Sequence, residues 1–486
     1  MAAPVLFRST RCLECEPVFT HSSAPARNRR QLLLPTKTAI LLTVVALTPL
    51  PAAGQTDRSL LIAAKKHNSA EVQALVEQGA PVGASEADGT TALHWASYWD
   101  DVESAQLLID TGADIDAMND LGATPLWVAC ENGSHVMART LLAAGADPNA
   151  ALRLGETPLM VASRSGAPRV VEQLLAKGAD VGARAARGQT ALMWAVSQHH
   201  ADVVDVLLDH GADPHARSDV WTQVMAVPPH ARPEHNFDVP HGGNTALMFA
   251  ARVGDLASAR LLVSAGANVN DTDAWGVSAT VLASHSGYVE LVEFLLESGA
   301  DANVATAGFT ALHEAVMRGD ERMVTALLTH GADPNVVLQT WTPKRRDSRD
   351  FNFSPSLVGS TPFWLAARFA QPAVMRRLVE YGADSLFIHD VEYLPDGYDI
   401  RPRREATTAL MAAVGMGGRR LRPWIAPDPS QLETQVLASV KLAVECGVAV
   451  NAVDLQGRTA LDGATAQGYT AVIEFLIEHG AKPGSI

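Results

Sequence analysis

Cysteine is scarce: four in 486 residues, too few for a disulfide framework. Cys12 and Cys15 form one CxxC word with no His after it and no second such pair, which excludes haem attachment and leaves zinc without a ligand set. Cys130 and Cys446 stand too far apart in sequence to form a local pair. Catalytic words are missing as well: no HExxH, no Gly-x-Ser-x-Gly, no Walker loop and no dinucleotide glycine signature. Gly415-Met-Gly-Gly418 reads as a turn, His199-His200 as a spacer between helices, and His313-Glu314 lacks the second His of a zinc motif. Basic charge is in deficit, with Lys+Arg 38 against Asp+Glu 53 and a net charge of −15. Such a surface repels nucleic acid and anionic lipid.

Long apolar runs are also absent, apart from Ala39–Leu47. That run is shorter than the roughly 17–25 residues a spanning helix needs. Arg27, Arg29, Arg30 and Lys37 precede it, and Thr48-Pro-Leu-Pro-Ala-Ala-Gly54 follows. A basic start, a short apolar core and small residues at the exit make a secretory signal pattern, with cleavage expected before Gln55. An uncleaved anchor and a buried helix are the competing readings. Export without disulfides points to a bacterial periplasm or the cell exterior. Residues 1–54 are therefore set apart from a body at 55–486.

That body is periodic. Gly79, Gly112, Gly145, Gly178 and Gly211 follow one another at 33 residues, as do Gly266 and Gly299, and Gly447 and Gly480. Thr91, Thr124, Thr157 and Thr190 keep the same beat. Each period reads Gly-x-Thr-Ala/Pro-Leu-x-x-Ala, then Val-x-x-Leu-Leu, then Gly-Ala-Asp-x-Asn; Gly122-Ala-Thr-Pro-Leu126 with Gly145-Ala-Asp-Pro-Asn149 is one instance. Thr is a helix N-cap, and Pro at 125, 158 and 362 suits the first helical position. Val-x-x-Leu-Leu gives a second helix its apolar stripe, and Gly ends it in a left-handed conformation.

Period and wording together resemble the ankyrin repeat. The resemblance implies an all-α solenoid of about 11 helix-turn-helix units with short β-hairpin-like fingers, in one continuous domain. It implies a binding scaffold rather than an enzyme, with no cofactor and no metal. The family's His survives only at His94 and His313, where a structural role is expected; Trp127, Met160, Met193, Met248, Trp364 and Met411 replace it elsewhere.

Four insertions interrupt the beat, near 217–242, 336–358, 385–405 and 417–434. The first holds His215, His230, His235 and His241, at spacings that match no metal motif. The others interleave bases with aromatics, as in Lys344-Arg-Arg-Asp-Ser-Arg349 with Trp341, Phe351 and Phe353, Arg401-Pro-Arg-Arg404 with Tyr393 and Tyr398, and Arg419-Arg-Leu-Arg422 with Trp424. That pattern suits single strands, but the carrier is acidic, and no nucleic acid is expected. Loops folding back over the solenoid and a partner-binding surface remain the two readings.

The family resemblance places the two residues after the inner-helix Ala pair on a concave groove. Arg recurs there at Arg164, Arg252, Arg318 and Arg368, with Tyr98, Trp99 and Phe369; Trp275 and Phe309 in the fingers are expected at its border. Aromatics and Arg dominate binding hot spots. The expectation is a monomer that binds an acidic or carboxylate-bearing protein in this groove. Alternatives are a ligand-binding or enzymatic site in the insertions, and a role in envelope stress protection or assembly.

Overall fold

The computed structural model describes residues 58–225, 237–342, 352–394, 401–418, 421, 424, 425 and 428–485. The signal-like segment, Cys12, Cys15, His230, His235, the 344–349 basic run, Phe351, Tyr398, Arg419, Arg420 and Arg422 lie outside them.

Within these residues the chain forms helix pairs in sequence order. Unit one pairs Ser59–Lys65 with Ser69–Glu77; units two to five have inner helices Ala92–Trp99, Pro125–Glu131, Pro158–Arg164 and Ala191–Ser197. Units six to nine follow with Ala246–Val253, Ala279–Ser286, Ala311–Arg318 and Pro362–Arg368, and units ten and eleven with Ala409–Ala413 and Ala460–Gln467. Each inner helix is followed by an outer one, from Val102–Asp110 in unit two to Thr470–Glu478 in unit eleven.

The repeated words act as expected of them. The Thr124 hydroxyl accepts the Trp127 N–H at 3.2 Å and that of Thr157 accepts Met160 N–H at 3.3 Å, with Pro125 and Pro158 in the first helical positions. Outer helices use Asp101, Ser134, Asp255 and Asp320 for the same purpose. Inner helices are buried almost all round, so alanines such as Ala129, Ala162, Ala195 and Ala250 let neighbours approach; outer helices bury one stripe. Stacking joins these faces into one continuous core.

The asparagine of Gly-Ala-Asp-x-Asn bridges units. Asn303 Oδ1 accepts the Asp333 N–H at 2.8 Å while its Nδ2 donates to Gly331 O at 2.8 Å. Asn149, Asn270 and Asn451 repeat both bonds, and Asn335 makes them across an insertion, to Asp384 and Gly382.

Two insertions carry antiparallel hairpins. Strands β1 (Trp221–Met225) and β2 (Phe237–His241) pair Trp221 with His241; β3 (Ile388–Tyr393) and β4 (Arg403–Thr408) pair Ile388 with Thr408. β3 alternates exposed and buried residues, burying His389, Val391 and Tyr393.

Candidate functional site: the concave groove and its insertions

The ends of the inner helices present their last carbonyls to the next unit, and side chains from that unit satisfy them. Trp99 Nε1 donates to Lys65 O at 3.3 Å, Asn132 Nδ2 to Tyr98 O at 3.0 Å, Ser165 Oγ to Cys130 O at 3.0 Å and Ser286 Oγ to Arg252 O at 3.3 Å. Arg318 does the same to His285 O at 2.8 Å. The groove positions thus form a cross-unit capping ladder, since orphan helix carbonyls need donors.

Between units two and six this ladder is half-exposed. Along it Lys65, from unit one, lies over Trp95 at 4.9 Å, Arg164 over Trp194 at 5.1 Å and Arg252 over Phe249 at 5.6 Å. Each also has a polar partner, namely Glu86 at 2.8 Å, Glu131 at 3.5 Å and Asn244 at 3.0 Å. Burial pushes the Glu131 and Glu156 carboxyls up, and Arg164 between them pulls both part of the way back. Tyr98 packs edge-on against Trp95 and Trp99, and Trp99 stacks on His67 at 5.3 Å.

Units seven to nine differ, because the insertions fold onto them. Phe353, from the second insertion, is 1% exposed and packs on Phe309 at 5.3 Å and edge-on to His313 at 6.3 Å. Trp424, from the fourth, meets Phe353 at 5.3 Å and His285 at 5.5 Å, and its Nε1 donates to Asn352 O at 3.1 Å. Arg368 donates from Nε to Gly417 O at 2.7 Å and from Nη2 to Gly418 O at 3.2 Å. Burial pushes its guanidinium down to about 10. Glu405 of the third insertion accepts from Gly418 N–H at 2.6 Å and from Tyr393 Oη at 2.9 Å, joining that insertion to the fourth.

The expected groove residues therefore divide. Tyr98 and Trp99 pack together in unit two, Arg164 and Arg252 stand half-exposed in units four and six, and Trp275, half-buried in a finger, meets Phe309 edge-on at 5.9 Å. Three expectations are corrected. Phe309, 4% exposed, lies beneath Phe353, and Phe369, 8% exposed, belongs to the core. Arg368 holds the fourth insertion, whereas Arg318 caps His285 O as Trp99 caps Lys65 O, and stays half-exposed like Arg164 and Arg252. Of the two readings for the insertions, folding back over the solenoid accounts for Phe353, Trp424 and Gly417–Gly418.

Periodicity missed Glu314. It stands where other units place Trp95, Val128, Val161, Trp194, Phe249, Leu282 and Leu365. A carboxylate on an apolar beat was the available signal. It is 2% exposed, and its Oε2 meets His285 Nδ1 at 2.9 Å. His94 is structural, as read: its Nδ1 accepts the Thr91 N–H at 3.2 Å, which leaves Nε2 to donate to Ala123 O at 2.9 Å. Among the described residues no group of three His, Cys, Asp or Glu is placed to hold a metal ion, and no helix is long and apolar enough to cross a membrane.

The profile described as "Ankyrin repeats (3 copies)" matches residues 47–119, 112–185, 150–218 and 247–337. Mouse (Mus musculus) "Ankyrin repeat and SOCS box protein 16" is 35% identical over 201 residues, 41% of this chain and 42% of that protein. The Caenorhabditis elegans "Ankyrin repeat and KH domain-containing protein mask-1" is 31% identical over 274 residues, 49% of this chain and 10% of its own length. The chain thus spans less than half of either relative. The solved human ASB11 ankyrin repeat domain is 26% identical, covering 50% of this chain and 98% of that domain, with a TM-score of 0.42.

Proposed function

The chain belongs to the ankyrin-repeat family, and on that premise we propose that it is a non-catalytic protein-binding scaffold that grips its partner along the concave groove of units two to six. Ankyrin repeats generally mediate protein–protein interaction. The observation that carries the reading is the contrast along the groove. Tyr98, Trp99, Arg164 and Arg252 stay half-exposed in one section, while the chain's own insertions occupy the section of units seven to nine. Large aromatics beside arginine are the side chains from which binding hot spots are built.

A partner presenting carboxylates fits Arg164, whose contact with Glu131 is long at 3.5 Å and leaves guanidinium donors for a second acceptor. Replacing Tyr98, Arg164 and Arg252 together with Ala, with helicity checked by circular dichroism, is expected to weaken a captured partner at least tenfold. Unchanged affinity at low salt would assign binding elsewhere. The basic and apolar N-terminal words support export, so the mature chain is expected to begin at or near Gln55 by intact-mass measurement. Protein that retains residues 1–54 in the cytosol would refute export.

A further inference from the structure

One side chain of the fourth insertion is held on three sides by the solenoid and the second insertion. The Trp424 ring lies edge-on to His285 at 5.5 Å with 66° between planes, and tilted against Phe353 at 5.3 Å with 50° between planes. Its indole N–H is donated to Asn352 O at 3.1 Å. Two aromatic walls and one acceptor for the only polar atom of the ring match what an indole needs.

Each wall has anchors besides Trp424. His285 is 6% exposed, and its orientation is fixed through Nδ1 by Glu314, the carboxylate found where neighbouring units carry apolar residues. Phe353 is anchored from behind by Phe309 and His313, and its backbone exchanges hydrogen bonds with Thr342: Thr342 N–H to Phe353 O at 3.1 Å and Phe353 N–H to Thr342 Oγ1 at 2.8 Å. Trp424 itself is only half-buried, and the next residue, Ile425, is 52% exposed. The walls are thus anchored through Glu314, Phe309, His313 and Thr342, and the occupant is less buried than they are.

We propose that His285, Phe353 and Asn352 O form a tryptophan-recognition site in the groove, which the chain keeps filled with its own Trp424. A partner protein presenting an exposed tryptophan gains the site by displacing it. This rests on the groove being the binding face, and it adds the partner's chemistry and an autoinhibitory contact.

The test uses the whole chain and N-acetyl-tryptophanamide as probe, followed by calorimetry or saturation-transfer NMR. Trp424→Ala is expected to bind the probe saturably with one site per chain, at least tenfold more tightly than the wild type. N-acetyl-leucinamide, lacking ring and N–H, is expected to bind at least tenfold more weakly than the indole, and Phe353→Leu, which keeps an apolar side chain in the core, added to Trp424→Ala is expected to weaken probe binding at least tenfold. If Trp424→Ala does not fold, Trp424→Leu carries the test and is still expected to bind the probe more tightly than the wild type. A folded variant that binds no probe, or one no tighter than the wild type, overturns the proposal. Because the probe is a small molecule, this outcome is independent of the partner measurement on the Tyr98, Arg164 and Arg252 variant.

Discussion

Histidine shows how burial, rather than sequence position, decides what a residue contributes. Burial of the His313 imidazole pushes its pKa from the ordinary 6.5 down to about 4, and burial lowers His94 and His389 in the same direction. The unfolded chain takes up a proton near pH 6.5 that the folded chain refuses until about pH 4. Stability is therefore full above pH 6.5 and falls as pH drops from 6.5 towards 4. His313→Met, the residue type that Met160 and Met193 place at the same beat, is expected to shrink the slope of unfolding free energy against pH in that window. An identical slope in denaturant titrations of both proteins would remove His313 from the account. The two cysteines separate by the same physics. Burial pushes both thiols up, but Cys130 is fully buried whereas Cys446 is half-buried beside Ser385. Peptide-mapped alkylation of the native protein should label Cys446 first. Equal labelling of Cys130 would mean that unit three opens far more readily than its core position allows.

Each helix pair depends on few side chains outside its core, and the finger asparagines are the most regular of these. Asn303→Ala removes two cross-unit bonds, each worth about 0.5–1.5 kcal/mol net. A loss of about 1–2 kcal/mol is expected, read as a shift of the urea midpoint; a change within error would mean that water replaces both bonds without cost. Glycine at the helix ends divides more sharply. Gly299 has φ +91° with open space where a Cβ would stand, so Gly299→Ala meets only backbone strain of about 1–2 kcal/mol. Gly254, at φ +79°, would also drive its Cβ into the Tyr288 ring, and Gly254→Ala should cost more. Thermal melts in which the two variants are equal would discount that contact.

A solenoid is held by neighbour contacts, so damage should stay local unless something links distant units. The insertions supply such a link, since Trp424 and Gly417–Gly418, inserted after the inner helix of unit ten, reach unit seven at His285 and unit nine at Arg368. Phe353→Ala opens a cavity at this junction and is expected to cost about 3–5 kcal/mol. Amide exchange should accelerate in Ala279–Ser286, Ala311–Arg318 and Pro362–Arg368 while Ala92–Trp99 and Pro125–Glu131 keep their protection. Acceleration spread evenly along the chain would contradict a local clasp. Much of the architecture was legible beforehand. The 33-residue beat, the Thr caps, the closing glycines and the bridging asparagines each answer a local need of the backbone, so their spacing alone determined the family and the order of the helices. The groove was only partly legible. Its positions were proposed from the family resemblance, and of these Tyr98, Trp99, Arg164 and Arg252 stay half-exposed. What fills it depends on contacts between residues far apart in sequence, such as Phe353 with Trp424 or Arg368 with Gly417. No period predicts those, because an insertion has none. Only the tertiary structure, by bringing three insertions onto one face, decided that Phe309, Arg368 and Phe369 serve the chain's own packing and that Glu314 holds a buried histidine in place.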